Sequence, residues 1–289
     1  MKRKNEYVKS EEKINSSKEL VVEVEECLKE LASETDDFKK SEFFKSYLET
    51  ASKFWQYSCR NQILILAQKP KATRVAGFRK WNELNRYVKK GSKAIRILAP
   101  SQKTIKELNP QTMQEEEKTI TLFFAVNVFD EAQTEGQELP QISISVAGDN
   151  YQDFKNLLVS FCDERSIKVD FKNLGVNGLY GYSKGGEIVI TSTESINTQV
   201  NTMIHEIAHE LLHKDNKELS RQQKEIQAEG TAYVVTKHFG MENKSFNYLA
   251  LYDADHKKIM ENLKAIAEGA KEIIEFVEGG LMLPLLSLT

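Results

Sequence analysis

The chain has 289 residues, of which 40 % are hydrophobic and 29 % charged, with a net charge of −3. That composition is ordinary for a soluble globular protein, and the length allows two modest domains, each with its own core. Cys27, Cys59 and Cys162 are far apart and odd in number, which excludes a disulfide framework or a cysteine metal site and points to reduced thiols in the cytoplasm.

The first residues, MKRKNEYVKSEEK, have no apolar run behind their basic groups, so no secretion signal is expected. Residues 1 to about 16 are polar and are expected to be frayed. KELVVEVEECLKELASE, 18–34, has apolar residues at helical spacing and reads as an amphipathic helix. A longer helix is expected from Ser41, its cap, to Gln68, stopped by Pro70. Lys89-Lys90-Gly91 reads as a tight turn. AIRILA (94–99) and TITLFFAVNVF (119–129) read as the two strands of a hairpin, with the polar stretch between them a mobile excursion. A domain boundary is expected near 140–150.

The second half opens with the amphipathic helix YQDFKNLLVSFCDER. IKVDF and EIVIT read as strands, and the glycine-rich GVNGLYGYSKGG between them as a hairpin and its turns. It has neither G-x-G-x-x-G nor G-K-[ST], so a nucleotide loop is not expected. A helix follows with Val200, Met203, Ile204, Ile207, Ala208, Leu211 and Leu212 on one side. The next starts at a capping box, Ser220 and Gln223, and ends at Gly240. A last helix is expected over 256–277. The tail LMLPLLSLT is too short to span a bilayer, and no membrane partner is expected.

Charge is unevenly spread. Between Lys45 and Lys103 there are fourteen Lys and Arg against two acids, Glu49 and Glu83, so the remainder of the chain is acidic. Aromatics alternate with these cations. Cations neutralise phosphates and aromatic faces stack on unpaired bases, a combination that suits single-stranded nucleic acid. The candidate contacts are Arg60, Asn61, Arg74, Arg79, Lys80, Trp81, Arg86, Lys89, Lys90, Lys93 and Arg96.

HEIAHELLH, His205 to His213, carries the chemistry. Residues four apart on a helix project from one face, so His205 and His209 can grip one ion, and Glu206 beside them can hold a water and take its proton. A catalytic zinc needs a third protein ligand and an open position. His213 lies about 12 Å in rise from His205, too far to share an ion easily. Asp215 would need a glycine where Leu212 stands. Glu225 and Glu229, four apart on the next helix, can serve as one ligand and one residue orienting a ligand histidine. His213 reads as a surface or capping residue, Glu210 as a solvated charge, and His238 and His256 as helix-end residues.

Two resemblances follow from these residues. HEIAHELLH with KEIQAEGTAYVV resembles the ImmA/IrrE-type metallopeptidase domain, similar in its site to the gluzincins. The resemblance implies zinc, or another divalent metal, on His205, His209 and Glu225, with Glu206 as general base and Glu229 orienting a ligand. Tyr233, two turns past Glu225, is a looser match to an oxyanion contact. YSCRNQILILAQKPKATRVAGFRKWNELNRYVKKGSKAIRILAP with FAVNVFDEAQTEGQELP resembles the N-terminal, single-stranded-DNA-binding domain of the antirestriction protein ArdC family.

Together the resemblances imply an α+β chain of two domains. An N-terminal extension, 1–40, precedes a helix and β-hairpin DNA-binding domain, 41–145, and a gluzincin-like metallopeptidase domain, 146–289. The expected function is antirestriction on behalf of a mobile element, with single-stranded DNA and a protein substrate as partners. Alternatives are a DNA-targeted regulatory peptidase acting on a repressor-like partner, and a DNA-binding protein whose metal domain is catalytically silent. Glu206→Ala discriminates them.

Overall fold

A computed structural model describes residues 2–108, 114–139, 150–176, 178–215, 218–241 and 254–286, with side chains described except at 2–15, 108, 150 and 282–286. In chain order the elements are α1 (Lys2–Ser33), α2 (Asp37–Lys53), α3 (Cys59–Gln68), β1 (Val75–Gly77), α4 (Phe78–Glu83), β2 (Arg86–Val88), β3 (Ile95–Leu108), β4 (Glu115–Asp130), a 3-10 turn (Glu131–Gln133), β5 (Thr134–Gly136), α5 (Asn150–Glu164), β6 (Lys168–Lys172), β7 (Gly181–Ser183), β8 (Glu187–Thr191), α6 (Ile196–His213), α7 (Arg221–His238) and α8 (His256–Leu286). The chain is α+β and forms two compact units, one from Met1–Cys27 and Arg60–Leu139, the other from Leu28–Cys59 and Pro140–Thr289. The segment over 1–16, expected to be frayed, is helical from Lys2 as the start of α1, and 287–289 of the apolar tail lie outside the described residues.

In the first unit, β3 is an edge strand of the sheet ordered β1-β4-β3. An edge strand leaves backbone groups without ladder partners. Here two amide side chains of α3 supply them. Asn61 donates to the carbonyl of Leu98 at 2.8 Å and accepts from its N–H at 2.9 Å. Gln68 repeats the device two turns on, donating to the carbonyl of Arg96 at 2.8 Å and accepting from its N–H at 2.9 Å. The buried Ile63, Leu64, Ile65 and Leu66 of α3 and Ile95, Ile97 and Leu98 of β3 make the core of this unit.

The polar stretch expected to be an excursion is an extension of the hairpin: the antiparallel ladder runs from Ile95↔Val128 to Leu108↔Glu115. Cross-strand charge pairs take the place of apolar contacts there, Lys118 with Glu107 at 2.8 Å and Lys106 with Glu115 at 3.6 Å. Polarity marked exposure, not lack of order, because a two-stranded ribbon can be wet on both faces.

The helix expected over 41–68 is two helices. Asp36, not Ser41, caps α2, accepting from the N–H groups of Phe38 and Lys39. The break spans 54–58 and contains Phe54 and Trp55, adjacent aromatics that are both buried. The expected 41–145 division also differs from the compact units, since 41–59 lies with the C-terminal half. The buried Phe44, Tyr47, Leu48 and Ala51 belong to that core, and the Tyr47 hydroxyl donates to the carbonyl of Leu263 at 3.1 Å.

The second unit sets α5–α8 and α2 around a sheet ordered β6-β8-β7. The expected strands IKVDF and EIVIT pair in parallel, and β7 forms the hairpin with β8. On α6, Val200, Met203, Ile204, Ile207 and Ala208 are fully buried, a stripe with the i, i+3, i+4, i+7 period. Burying each larger side chain contributes roughly 1.5–3 kcal/mol, so this stripe holds the histidine-bearing helix firmly on the sheet. The capping box of Ser220 and Gln223 starts α7, and Gly240, at φ 69°, follows its end.

Candidate metal centre and basic surface

His205 and His209 project from α6 with their Nε2 atoms 3.0 Å apart. Glu225 reaches them from the first turns of α7, its Oε2 3.4 Å from His205 Nε2 and 3.6 Å from His209 Nε2. Among the described residues this is the only group of three or more His, Cys, Asp or Glu whose donor atoms converge within 4.8 Å of one another. The separations bracket the roughly 3.3 Å edge of a tetrahedron with bonds of about 2.0–2.1 Å, so two imidazoles and one carboxylate could hold a small divalent cation.

Charges respond to this convergence. A hydrogen bond with His205 and the neighbouring His209 imidazole hold the Glu225 carboxyl well below the usual carboxylate range. Burial works to lower His205, but the Glu225 bond and the charges of Glu206, Glu225 and Glu229 outweigh it, and its pKa is raised. Glu206 is buried, which raises its pKa, while the two imidazoles and a hydrogen bond with Ser183 of β7 pull the other way. A buried carboxyl beside two imidazoles, with a raised pKa, is suited to accept and release a proton.

Other residues singled out from the sequence lie elsewhere. Glu229 is exposed and is not one of the three converging groups, although its charge reaches His205. Asp215 is exposed and outside the group. Tyr233 is partly buried, and the carboxylate that raises its pKa after burial is Glu49 of α2.

Glu210 is buried, not solvated. Its two oxygens accept from the N–H groups of Gly185 at 2.9 Å and Gly186 at 2.6 Å. Both glycines have positive φ, 75° and 92°, which aims successive N–H groups at one carboxylate. This pins the β7–β8 turn to α6, one helical turn past Glu206, and so places Ser183.

His213, expected at the surface, is buried at 6 % exposure, with Nδ1 3.0 Å from His209 Nδ1 and Nε2 3.0 Å from Gln227 Oε1. Burial brings its pKa down to about 4, the neighbouring His209 adding to that and the bond to Gln227 opposing it. His238 closes α7 with Nε2 2.7 Å from Glu278 Oε1.

On the first unit the candidate contacts divide. Arg60, Arg79, Lys90 and Lys93 are exposed and carry no ion pair among the described residues. Arg74 pairs with Glu131 at 2.7 Å, Lys80 with Glu83 at 3.2 Å, and Lys89 donates to the carbonyl of Ala132 at 3.2 Å. Arg96 bonds Ser16 and lies 3.4 Å from Glu19.

Three candidates are corrected. Trp81 is 1 % exposed and its indole donates to the carbonyl of Phe129 at 2.9 Å. Asn61 serves the β3 edge. Arg86 is buried, donating to Thr134 Oγ1 at 2.8 Å and to the carbonyl of Gln137 at 2.6 Å, which ties β2 to β5. Among the described residues of this unit the exposed aromatics are Phe78, Tyr87 and Phe123, at 54 %, 57 % and 52 %. Phe123 was missed, although strand alternation puts it on the outward face with the exposed Thr121 and Asn127.

Comparison with known proteins places these features. Residues 17–129 match the model of the N-terminal domain of anti-restriction factor ArdC, and residues 162–274 that of the IrrE N-terminal-like domain of peptidase family M78. The chain thus matches an ArdC-type N-terminal domain followed by an IrrE-like domain. An uncharacterized Bacillus anthracis protein, pXO2-81, is 25 % identical over 87 % of this chain, which spans about half (51 %) of that relative's length. Crystal structures of the antirestriction ArdC protein from the R388 plasmid are also similar. The metal-free one has 18 % identity and a TM-score of 0.48 over 77 % of this chain and 86 % of that one. The Mn(II)-bound one has 16 % identity and a TM-score of 0.46 over 80 % and 97 %. The M78-type match contains all three converging ligand-type residues and Glu206, and the ArdC-type match contains all eleven candidate nucleic-acid contacts. No helix of the described residues is long and apolar enough to cross a membrane.

Proposed function

We propose that this chain is a cytoplasmic antirestriction protein of a mobile element, binding single-stranded DNA through its basic N-terminal surface and hydrolysing peptide bonds at a zinc centre. The observation that carries the hydrolase reading is the convergence of His205, His209 and Glu225 from two helices beside the buried Glu206.

His205, His209 and Glu225 would hold the cation. A bound divalent ion supplies Lewis acidity, polarising a substrate carbonyl and lowering the pKa of a water. Glu206 takes the proton from the attacking water and delivers it to the leaving amine; its raised pKa suits both transfers. Glu210 acts indirectly, by fixing the turn that bears Ser183, the hydrogen-bond partner of Glu206.

For DNA, the exposed Phe78, Tyr87 and Phe123 supply stacking faces, and Arg60, Arg79, Lys90 and Lys93 supply cations. Stacking on splayed bases favours single strands over duplex, and affinity is expected to fall steeply with salt. Equal affinity for duplex, or no salt dependence, overturns this part.

The deciding experiment is Glu206→Ala in the full chain. Metal content measured by elemental analysis is expected to persist while peptidase turnover drops by about 10²- to 10⁴-fold. Unchanged turnover removes Glu206 as the base. Loss of turnover with full protection of incoming DNA in a restricting host shows that proteolysis is not the protective step. Glu225→Gln and Glu229→Gln, compared for metal content, test the third ligand: metal loss confined to Glu229→Gln reverses the two roles.

A further inference from the structure

His209 has a second ring nitrogen, and it leads into the core. A hydrogen-bonded chain runs from His209 Nδ1 to His213 Nδ1 (3.0 Å), from His213 Nε2 to Gln227 Oε1 (3.0 Å), from Gln227 Nε2 to Asn262 Oδ1 (2.9 Å), and from Asn262 Nδ2 to the carbonyl of Lys258 (2.7 Å). Its links come from α6, α7 and α8, and His213, Gln227 and Asn262 are all buried.

The chain has one consistent proton order. A backbone carbonyl can only accept, so Asn262 turns its N–H to Lys258 and its oxygen to Gln227. Gln227 then gives its N–H to Asn262 and its oxygen to His213. That oxygen also only accepts, so the proton of His213 sits on Nε2. A ring so buried is neutral, which leaves Nδ1 of His213 as an acceptor. The proton between the two histidines therefore belongs to Nδ1 of His209. Its Nε2 carries the lone pair, and this is the atom 3.0 Å from His205 Nε2 and 3.6 Å from Glu225 Oε2.

We propose that His213 is a positioning residue: held by Gln227 and Asn262, it sets the tautomer and ring orientation of His209 so that Nε2 is presented to a divalent cation. The cation rests on the metal-centre reading above; the tautomer does not. The role expected of Glu229 thus falls to a residue on the same helix as the histidine it orients. An i, i+4 partner on that helix is fixed in place by the helix itself, whereas Glu229 is exposed.

The test has two arms. In the first, ¹⁵N-histidine-labelled, metal-free full chain is examined by NMR. His209 is expected as the Nδ1–H tautomer and His213 as the Nε2–H tautomer; an Nε2–H tautomer at His209 overturns the proposal. In the second, Zn(II) and Mn(II) affinities are measured by competition with a chromogenic chelator. His213→Leu is expected to lose about 10- to 100-fold in affinity. Unchanged affinity in folded His213→Leu overturns the proposal. Should His213→Leu not fold, Gln227→Met reads the same loss, and unchanged affinity there has the same meaning. Wild-type chain that binds neither ion overturns the metal-centre reading, and the tautomer arm still decides whether His213 sets His209.

Discussion

The α6–α7 site and the basic stretch of the first unit use similar side chains in opposite ways. At the site, polar groups are drawn inward and each meets a specific partner: Glu210 two glycine N–H groups, His213 an amide, Glu206 a serine. Along the basic stretch most cations stay in water, and the three candidates that do turn inward hold the fold. A short motif on one helix fixes relative geometry, because the backbone repeats every 3.6 residues. A charge count fixes no geometry at all. It cannot separate an arginine that clamps two strands from one that awaits a phosphate.

Substitutions can break that contrast. The largest expected stability effect is at Trp81. Trp81→Ala removes a fully buried indole and is expected to destabilise the protein by about 3–5 kcal/mol in denaturant unfolding. A mild effect on stability with a large one on DNA affinity would return Trp81 to the interface. Asn61→Ala leaves the N–H and carbonyl of Leu98 unmatched at a buried position, an expected loss of about 1–3 kcal/mol with an unchanged salt slope for DNA binding. By contrast, Phe78→Ala, Tyr87→Ala and Phe123→Ala should leave melting unchanged. Each is expected to weaken single-strand binding by about 1–3 kcal/mol, measured by fluorescence anisotropy. Loss of stability without loss of binding would make these aromatics structural after all.

The smallest effect is in pH. His213 has a pKa near 4 in the folded protein against about 6.5 for a free imidazole. Between these values the unfolded chain binds more proton. The contribution is therefore fully present above about pH 6.5, is lost progressively as pH falls to about 4, and changes no further below that. In the metal-free protein, melting temperature of wild type minus that of His213→Gln is expected to decline across this window. A flat difference removes the buried neutral imidazole.

Much of the fold was legible in advance. The stripe on α6, the capping box at Ser220 and the stop at Gly240 are local signals, and each appears where it was expected. The long-range errors share a cause. The apolar face of α2 reads as helix core whichever core it joins, so its place with Leu263 and the C-terminal half was not legible. The polar half of the β3–β4 ribbon looked like a loop because its ordering comes from cross-strand pairing, not from burial.

The sequence alone determined that His205, Glu206 and His209 share one helix, and that a basic stretch stands apart from an acidic remainder. Both follow from the order of residues along the chain. Only the tertiary structure decided that Glu225 converges on the histidines while Glu229 faces solvent, that His213 and Glu210 are buried supports, and that Trp81, Asn61 and Arg86 belong to the fold. Those outcomes depend on how helices rotate and pack against one another, and packing is set by many distant side chains at once, which no local spacing records.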